Sequence, residues 1–174
     1  VIVPRKTVLE MRKLIDETED EIAIGLSETK IKFSFGGTVL TSKLIDGKFP
    51  DYDRVIPEGN DKVLEVETYL FTQAVDRVSA ISAEKSRAVK LNLSKGSLIL
   101  SANSADNDTA NEALQVDYDE AEIEIGFNSR YLLDIAQQIG SDRVRFTLAD
   151  SASPTLVQDL DDKGAVYVLM PMRV

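Results

Sequence analysis

Cysteine and histidine are absent from this sequence of 174 residues. Their absence excludes disulfides, thiolate nucleophiles, and metal sites built from cysteine or histidine ligands. The usual Ser-His-Asp and Cys-His catalytic arrangements are excluded for the same reason. Long apolar runs are also missing, because none approaches the roughly 18 residues typical of a membrane span, and no signal-peptide pattern is visible. These absences predict a cytoplasmic protein.

Basic residues are the minority, with 20 lysines and arginines against 30 aspartates and glutamates and a net charge of −10. This balance argues against a protein that coats nucleic acid with a uniformly basic surface. The charges are unevenly distributed, however: residues 1–13 carry four basic side chains and one acidic, whereas residues 103–125 carry eight acidic side chains and no basic one. Arg5 and Lys6 lie at the start of a predicted helix, where backbone N–H groups favour phosphate. A phosphate-facing role and an ordinary solvated surface therefore both remain open.

Three amphipathic patterns predict helices at regular intervals. The first covers residues 7–16 and opens with capping-box spacing between Thr7 and Glu10. The second covers residues 68–82 and the third residues 128–140, each with a residue at its start that can act as a cap. The helices begin near residues 7, 68 and 129, which are 61 residues apart each time. Periodicity on this scale predicts a repeated supersecondary unit.

Alternating apolar and polar residues predict strands around each helix. One strand precedes each helix, at residues 1–3, 62–67 and 121–127. Three strands follow each helix, at residues 22–26, 30–35 and 39–45, at residues 88–93, 97–102 and 112–118, and at residues 143–148, 155–158 and 165–170. A hairpin signal, Lys95-Gly96, separates two of them. The chain thus contains three β-α-β-β-β repeats, which predicts an α+β fold with helices on one face of antiparallel sheets.

Pairing of the repeats predicts the domain organisation. A single repeat cannot bury its sheet alone, whereas two repeats can pack with both helices on one side. The second and third repeats follow each other without a linker, and we expect them to form one domain. The first repeat has no partner in the chain, so we expect the chain to be the C-terminal piece of a longer protein.

Asp159, Asp161 and Asp162 form an acidic cluster that could bind a metal ion. An EF-hand loop would need a longer pattern ending in a bidentate glutamate, so a polar hairpin turn is the simpler interpretation. A small acidic metal-binding hydrolase is the alternative from another functional class. The glycines in Phe35-Gly36-Gly37-Thr38 lack the rest of any nucleotide-binding motif. The sequence therefore predicts no catalytic site, no metal and no cofactor.

Two stretches suggest a surface for binding peptides. The loop at residues 46–57 contains two prolines, two aromatic residues and one arginine, and it is either a rigid linker or one wall of a peptide groove. The tail at residues 166–174 contains Pro171, where strand pairing should end, between two methionines. This apolar tail either folds onto the core or forms an edge that receives partners. A peptide-binding module without a role on DNA is a further alternative.

The most specific motifs are Phe49-Pro50-Asp51-Tyr52, the preceding residues 41–47 and the terminal residues 167–173, with shorter ones at residues 3–6 and 125–128. Together they closely resemble the bacterial DNA polymerase III beta subunit, the sliding-clamp family. The likeness covers the whole chain. It implies a DNA-clamp fold in which residues 1–61 are the second half of the middle domain and residues 62–174 are the C-terminal domain.

The resemblance also implies a function, that of a non-catalytic processivity factor that encircles duplex DNA as a ring and forms a homodimer when full length. Polymerase, clamp loader and repair proteins would bind it through short linear motifs in a hydrophobic cleft. The implied cleft residues are Pro50, Arg54, Val55, Ala152, Pro154, Val168, Met170 and Met172. The implied DNA-facing residues are Arg5, Lys6 and Arg12, with Arg77 and Arg130 as further candidates. The implied subunit-interface residues are Ile81, Asp108 and Glu112.

Overall fold

A computed structural model describes residues 1–15, 21–49, 51–82, 87–104, 108–162 and 164–173 of the chain. These residues divide into two compact units, Val1–Asp51 and Tyr52–Val174. Within the described ranges, no helix combines the length and the apolar character that crossing a membrane requires.

The first unit contains one helix and one three-stranded antiparallel sheet. Its elements are α1 (Arg5–Ile15), β1 (Ala23–Leu26), β2 (Lys30–Phe35) and β3 (Thr38–Lys43). The strands lie in the order β1-β2-β3. The predicted strand at residues 1–3 is reduced to a single bridge between Ile2 and Ile45. Among the described residues of this unit, the buried apolar ones are Met11, Ile31 and Phe35, so this part of its core is small.

Thr7 does not cap α1, and the predicted capping box is wrong. The helix begins two residues earlier, at Arg5, and the Val8 amide donates to the Pro4 carbonyl at 3.2 Å. Thr7 therefore lies in the first turn, where it is buried, and its hydroxyl shares a hydrogen bond of 2.7 Å with the hydroxyl of Ser42. The threonine thus joins the helix to the sheet. The predicted end of the helix at residue 16 lies outside the described residues.

The second unit contains two helices and two four-stranded antiparallel sheets. Its helices are α2 (Thr68–Ser79) and α3 (Ser129–Ala136). Its strands are β4 (Lys62–Glu67), β5 (Ala88–Ser94), β6 (Ser97–Asn103), β7 (Thr109–Gln115), β8 (Ile123–Asn128), β9 (Arg143–Leu148), β10 (Thr155–Asp159) and β11 (Tyr167–Leu169). The β5–β6 hairpin turns at Gly96, whose φ of 70° suits glycine,. The α+β fold with antiparallel sheets is confirmed.

The second and third repeats exchange their first strands. The sheets have the orders β7-β6-β5-β8 and β11-β10-β9-β4, so β4 of the second repeat pairs with β9 of the third, and β8 of the third pairs with β5 of the second. Two single bridges join the sheets further, from Glu65 to Asp117 and from Gly126 to Met172. Because each repeat completes the other's sheet, the two must fold as one unit.

The core of the second unit is continuous across both repeats. Large side chains from α2, β8 and β9 are almost fully buried in it, among them Phe71, Phe127 and Phe146. The rings of Phe71 and Phe146 lie 5.1 Å apart between centroids and are tilted by 55°, an arrangement that aromatic pairs prefer. Leu64 of β4 and Leu132 of α3 join the same cluster. The core therefore contains the apolar faces that the helical and strand patterns predict.

The prediction for α2 is correct at its first residue, Thr68, but wrong about the cap residue and about the end of the helix. Glu67 takes the N-cap position without a side-chain cap, and Thr68, the predicted cap, instead donates its hydroxyl to the Ser141 carbonyl at 3.1 Å. The helix ends at Ser79. Beyond it the hydrogen bonds are of the tighter i→i−3 type, as from Ser82 N to Ser79 O at 3.0 Å,. The predicted end at residue 82 included this turn.

The prediction for α3 is correct at its start and too long at its end. Asn128 is the N-cap, and its side-chain oxygen accepts from the Arg130 amide at 2.9 Å. The helix ends at Ala136, not at Gly140. In the next turn, the Ile139 amide donates to the Ala136 carbonyl at 3.3 Å. Ile139 is nevertheless buried, so the apolar stripe continues after the α-helical geometry has ended.

The strand predicted at residues 112–118 lies three residues earlier, as β7. Asp117 leaves this sheet and exchanges backbone hydrogen bonds of 3.2 and 3.3 Å with Glu65 at the edge of the other sheet. The strand predicted at residues 165–170 is shorter than predicted, because β11 contains only Tyr167–Leu169. In both cases the side-chain alternation continues beyond the hydrogen-bonded ladder.

Candidate functional site

The C-terminal tail is held at two points. At the first point, Leu169 of β11 pairs with Thr155 of β10. At the second point, the Met172 amide donates to the Gly126 carbonyl of β8 at 2.8 Å. The ladder of β11 with β10 ends at Leu169, two residues before Pro171, as predicted. The contact of Met172 is a single bridge to the other sheet of the unit. Met170 lies between these two anchors with 60 % of its surface exposed.

An apolar groove with a volume of about 480 Å³ lies between α3 and the segment that contains β11. We call it the tail groove. Its lining residues are Tyr131, Asp134 and Ile135 of α3 and Val166, Tyr167, Val168, Leu169 and Met170 of the tail segment. Two of the predicted cleft residues, Val168 and Met170, are therefore brought together here. The groove can receive aliphatic or aromatic side chains, because most of its lining atoms are apolar.

Tyr131 and Ile135 are groove residues that the sequence analysis missed. They are four positions apart and so project from the same side of α3, and Tyr131 is 56 % exposed. In the sequence, an aromatic residue near the start of an amphipathic helix is the signal that could have identified Tyr131. Nothing in the local sequence shows that α3 faces the C-terminal tail.

Two other predicted cleft residues, Ala152 and Met172, line a second groove with a volume of about 780 Å³. We call it the polar groove, because its lining contains Lys62, Glu122, Glu124, Asp150 and Arg173. Asp150 shapes its rim by accepting hydrogen bonds of 2.8 Å from the amides of Ala152 and Ser153. These bonds and one from the Ser153 hydroxyl hold the pKa of Asp150 below its ordinary value. Met170 and Met172 thus line two different grooves.

The remaining predicted cleft residues occupy other positions. Pro154 is half-buried, and its carbonyl accepts from the Asn60 side chain at 3.0 Å. Arg54 ends the 3-10 turn Tyr52–Arg54, and the following Val55 is exposed. Pro50 lies outside the described residues. Neither Arg54 nor Val55 is among the lining residues of the tail groove or the polar groove.

The predicted DNA-facing residues of the first unit lie on α1. Arg5, Lys6 and Arg12 are all exposed, and Arg5 is the first residue of the helix. The first turn contains no acidic residue. Cations at a helix N-terminus are disfavoured by the helix dipole by about 0.3–1 kcal/mol. An anion that approached this end of α1 would therefore meet both the side-chain charges and the free backbone N–H groups.

The two further arginine candidates are engaged in ion pairs within the second unit. Arg77 of α2 binds Glu112 of β7 through two nitrogens, with Nε 3.0 Å from Oε2. This pair lowers the pKa of Glu112 and raises that of Arg77. Arg130 lies 3.9 Å from Asp134, one turn later on α3. Both arginines therefore already have acidic neighbours.

Two of the predicted subunit-interface residues, Asp108 and Glu112, lie next to or within β7, one of the two edge strands of its sheet. Asp108 precedes β7 and is exposed, and its carbonyl accepts from the Ser104 amide at 2.9 Å. Glu112 lies in the strand and binds Arg77. Ile81 follows α2 and packs against the core with part of its surface exposed. Residues 105–107, which lie next to Asp108, are outside the described residues.

The acidic cluster acts as a local structural element. Asp159 is buried and accepts hydrogen bonds from the amides of Gly140, Ser141 and Asp161 at 2.7, 3.2 and 2.9 Å. Hydrogen bonds from Ser141 and from the Asp161 backbone hold the pKa of Asp159 well below its ordinary value. Asp162 accepts from the Gly164 amide at 2.7 Å. In the part of the chain that the structure describes, no group of three or more acidic residues is arranged to bind a metal ion.

A cluster of charges connects the strands at one end of the second unit. Arg145 donates from Nε to Glu65 Oε1 at 2.9 Å and makes a second, shorter contact with the same oxygen. Arg143 binds the carboxylate of Asp117, and this ion pair raises the pKa of Arg143. The cluster therefore reinforces the bridge between Glu65 and Asp117. The sequence analysis missed it, because Glu65 and Arg145 are 80 positions apart.

Models of one protein family match both parts of the chain. The model for the central domain of the DNA polymerase III beta subunit matches residues 1–51, and the model for its C-terminal domain matches residues 53–173. The beta sliding clamp of Caulobacter vibrioides is 51% identical over 174 residues, and that of Escherichia coli strain K12 is 41% identical over the same length. These alignments include 100% of this chain but 47% and 48% of the two relatives. The chain thus spans about half the length of the curated relatives it matches.

Solved structures give the same result. A sliding clamp (DNA polymerase III subunit beta) from Bartonella birtlesii, bound to griselimycin, superposes with a TM-score of 0.96 at 52% sequence identity, covering 100% of this chain and 47% of that one. A DNA polymerase sliding clamp from Pseudomonas aeruginosa superposes with a TM-score of 0.96 at 44% identity, covering 100% of this chain and 48% of that one. The fold described above is therefore similar to that of sliding clamps.

Proposed function

Because the chain belongs to the family of DNA polymerase III beta subunits, we propose that it acts as part of a sliding clamp, the processivity factor of a bacterial replicative polymerase. In this role the complete subunit encircles duplex DNA as a homodimeric ring in the cytoplasm and performs no catalysis itself. Residues 1–61 belong to the second half of the middle domain, and residues 62–174 form the C-terminal domain. The two matched family models support this order of domains, although the models and the two compact units both change over at residues 51–53.

The observation that carries the proposal is the tail groove. A protein that tethers several enzymes to DNA needs a surface that accepts different short peptides. The groove offers exposed apolar side chains on both walls, Tyr131 from α3 and Met170 from the tail. Aromatic anchors give large contact areas at low entropic cost, and methionine adapts to different partners. Polymerase, clamp loader and repair proteins are the proposed ligands.

The polar groove extends this surface on the other side of Pro171. Met172 and Ala152 lie in it beside charged residues of both signs. A peptide whose apolar side chains occupy the tail groove could place polar residues here. Pro50, Arg54 and Val55 remain proposed contributors to the cleft from the preceding loop.

The exposed basic residues of α1 support the proposed contact with DNA. Arg5, Lys6 and Arg12 carry charge that can meet backbone phosphates without reading bases. Arg77 and Arg130 are weaker candidates, because each already has an acidic neighbour within the second unit. A mostly acidic protein with a local basic helix would hold DNA loosely enough for sliding.

The proposed subunit interface is the open edge of β7. An edge strand presents unpaired backbone groups to another chain. Asp108 and Glu112 place acidic side chains at this edge, and Ile81 adds a partly exposed apolar surface. The neighbouring subunit would supply the complementary edge with basic residues.

A comparison of two exposed tyrosines tests the peptide cleft. Tyr131 and Tyr69 both lie near the start of a helix and are 56 % and 68 % exposed, but only Tyr131 lines the tail groove. Binding of a fluorescein-labelled heptapeptide with two leucines and one phenylalanine is measured by anisotropy. We expect Tyr131→Ala to weaken binding at least about tenfold and Tyr69→Ala to leave it unchanged. Equal effects of the two substitutions would contradict the assignment.

A charge-matched pair of variants tests the DNA-facing helix in the complete subunit. The Arg5→Ala/Lys6→Ala variant removes two charges from α1, and the Lys30→Ala/Lys32→Ala variant removes two from β2, where both lysines are also exposed. We expect only the first variant to weaken DNA binding and to reduce its dependence on salt, with a slope lower by about one for each phosphate that is no longer neutralised. If both variants bind DNA as the parent does, α1 does not face DNA.

A further inference from the structure

Met170 is the most exposed sulfur-containing residue in the described part of the chain. The sequence contains three methionines and no cysteine. Met11 is only 6 % exposed, Met172 is half-buried with its amide bonded to Gly126, and Met170 is 60 % exposed. Accessible thioethers react first with two-electron oxidants. A hydroperoxide that meets the folded protein therefore encounters Met170 before the other two sulfur atoms.

We propose that Met170 is an oxidation site whose sulfoxide weakens peptide binding in the tail groove. The loss of peptide binding rests on the proposed function, whereas the oxidation of the Met170 sulfur does not. The co-reactant is hydrogen peroxide. The Met170 sulfur attacks one peroxide oxygen, an S–O bond forms as the O–O bond breaks, and the second oxygen leaves as water after proton transfer. The sulfur loses two electrons and the peroxide gains them, so the step is balanced.

The tail groove is poorly suited to a sulfoxide. Its walls include the apolar side chains of Ile135, Val166 and Val168. A sulfoxide oxygen is a strong hydrogen-bond acceptor, and an apolar peptide side chain docked over it would remove its water. Asp134, which also lines the groove, is an acceptor when ionised, so the side-chain donors among the lining residues are limited to the hydroxyls of Tyr131 and Tyr167,. We expect the affinity for an apolar peptide to fall roughly tenfold.

Oxidation at this position leaves the fold intact. Met170 follows Leu169, the last residue of β11, and precedes the next backbone anchor at Met172. Its side chain therefore lies outside the ladder and outside the buried core. Loss of peptide binding can thus be separated from unfolding. A methionine sulfoxide reductase can reverse the reaction.

The test treats this chain with increasing hydrogen peroxide and follows two quantities. Peptide mapping by mass spectrometry gives the order in which the three methionines gain one oxygen. Anisotropy gives the affinity for the labelled heptapeptide defined above, before and after peroxide, for the parent, Met170→Leu and Met172→Leu. Each variant is compared with itself, so that any effect of the substitution alone cancels. Far-UV circular dichroism verifies that the oxidised chain is folded.

We expect Met170 to be oxidised first and the parent and Met172→Leu to lose affinity roughly tenfold after peroxide. The Met170→Leu variant should keep its own starting affinity, and reductase treatment should restore binding in the parent. Earlier oxidation of Met11 or Met172, or an equal loss of affinity in Met170→Leu, overturns the proposal and leaves the proposed function standing. If the untreated parent does not bind the peptide, the tail groove does not act as a peptide cleft in this chain, and the regulatory part of this inference fails with that part of the proposed function.

Discussion

Replacing Leu64 by alanine tests whether the second and third repeats fold as one unit. Leu64 is fully buried on β4, a second-repeat strand that pairs with β9 of the third repeat. Truncating a buried leucine costs about 2–5 kcal/mol, a large share of the roughly 5–15 kcal/mol by which domains are stable. A loss of about 3 kcal/mol lowers the melting temperature of a unit of this size by about 10 °C. Urea unfolding followed by circular dichroism measures the loss directly, with the m-value unchanged.

Native-state hydrogen exchange then locates the loss. Because the repeats exchange β4 and β8, we expect protection to fall together in β5 of the second repeat and in β9 and β10 of the third. Val63→Ala is the matched control, since Val63 is the preceding residue on the opposite face and is 38 % exposed. It should cost less than about 1 kcal/mol. The reasoning is refuted if reduced protection stays within β4 and α2, or if Val63→Ala costs as much as Leu64→Ala.

Three further substitutions test local features of the second unit. The pKa of Asp159 is lowered in the folded chain, so the ionised carboxylate stabilises the fold above the ordinary pKa of 3.8, and this stabilisation is lost as the pH falls further,. Asp159→Asn should therefore lower the melting temperature at pH 7, and the difference in melting temperature from the parent should narrow in acid. A difference that stays constant with pH would contradict this. Gly96→Ala should lower the free energy of unfolding, measured with urea, by about 1–2 kcal/mol, because φ is positive at this position,. Gly96→Asn should lower it less, because asparagine adopts this conformation more readily than alanine. Asn128→Ala removes the cap of α3 and should cost about 1 kcal/mol, whereas Asn128→Asp, which keeps the acceptor oxygen, should cost little.

The repeat was predictable because its evidence is local. Helix stripes and strand alternation depend on side-chain spacing within one element, and all three helices and most strands were located to within a few residues. The errors lie where another segment decides the boundary. Thr7 and Thr68 have the chemistry of caps, yet each hydroxyl binds a distant residue, Ser42 and Ser141 respectively.

The proposed cleft was predictable only in part. Val168 and Met170 were identified through the family resemblance, and the structure places both in the tail groove. Tyr131 and Ile135 were missed, because their contribution depends on α3 lying against the C-terminal tail. The division of the two methionines between the tail groove and the polar groove depends on the Met172–Gly126 bridge, which no sequence pattern indicates.

By itself, the sequence determined the repeat, the α+β class, the absence of cysteine and histidine chemistry, and the motifs that resemble the sliding-clamp family. These properties follow from composition and from short-range periodicity, neither of which depends on contacts between distant residues. Only the tertiary structure decided which repeat completes which sheet, which helix faces the tail, and which methionine is exposed. Those features arise from interactions between residues far apart in the chain, and packing selects them for the unit as a whole.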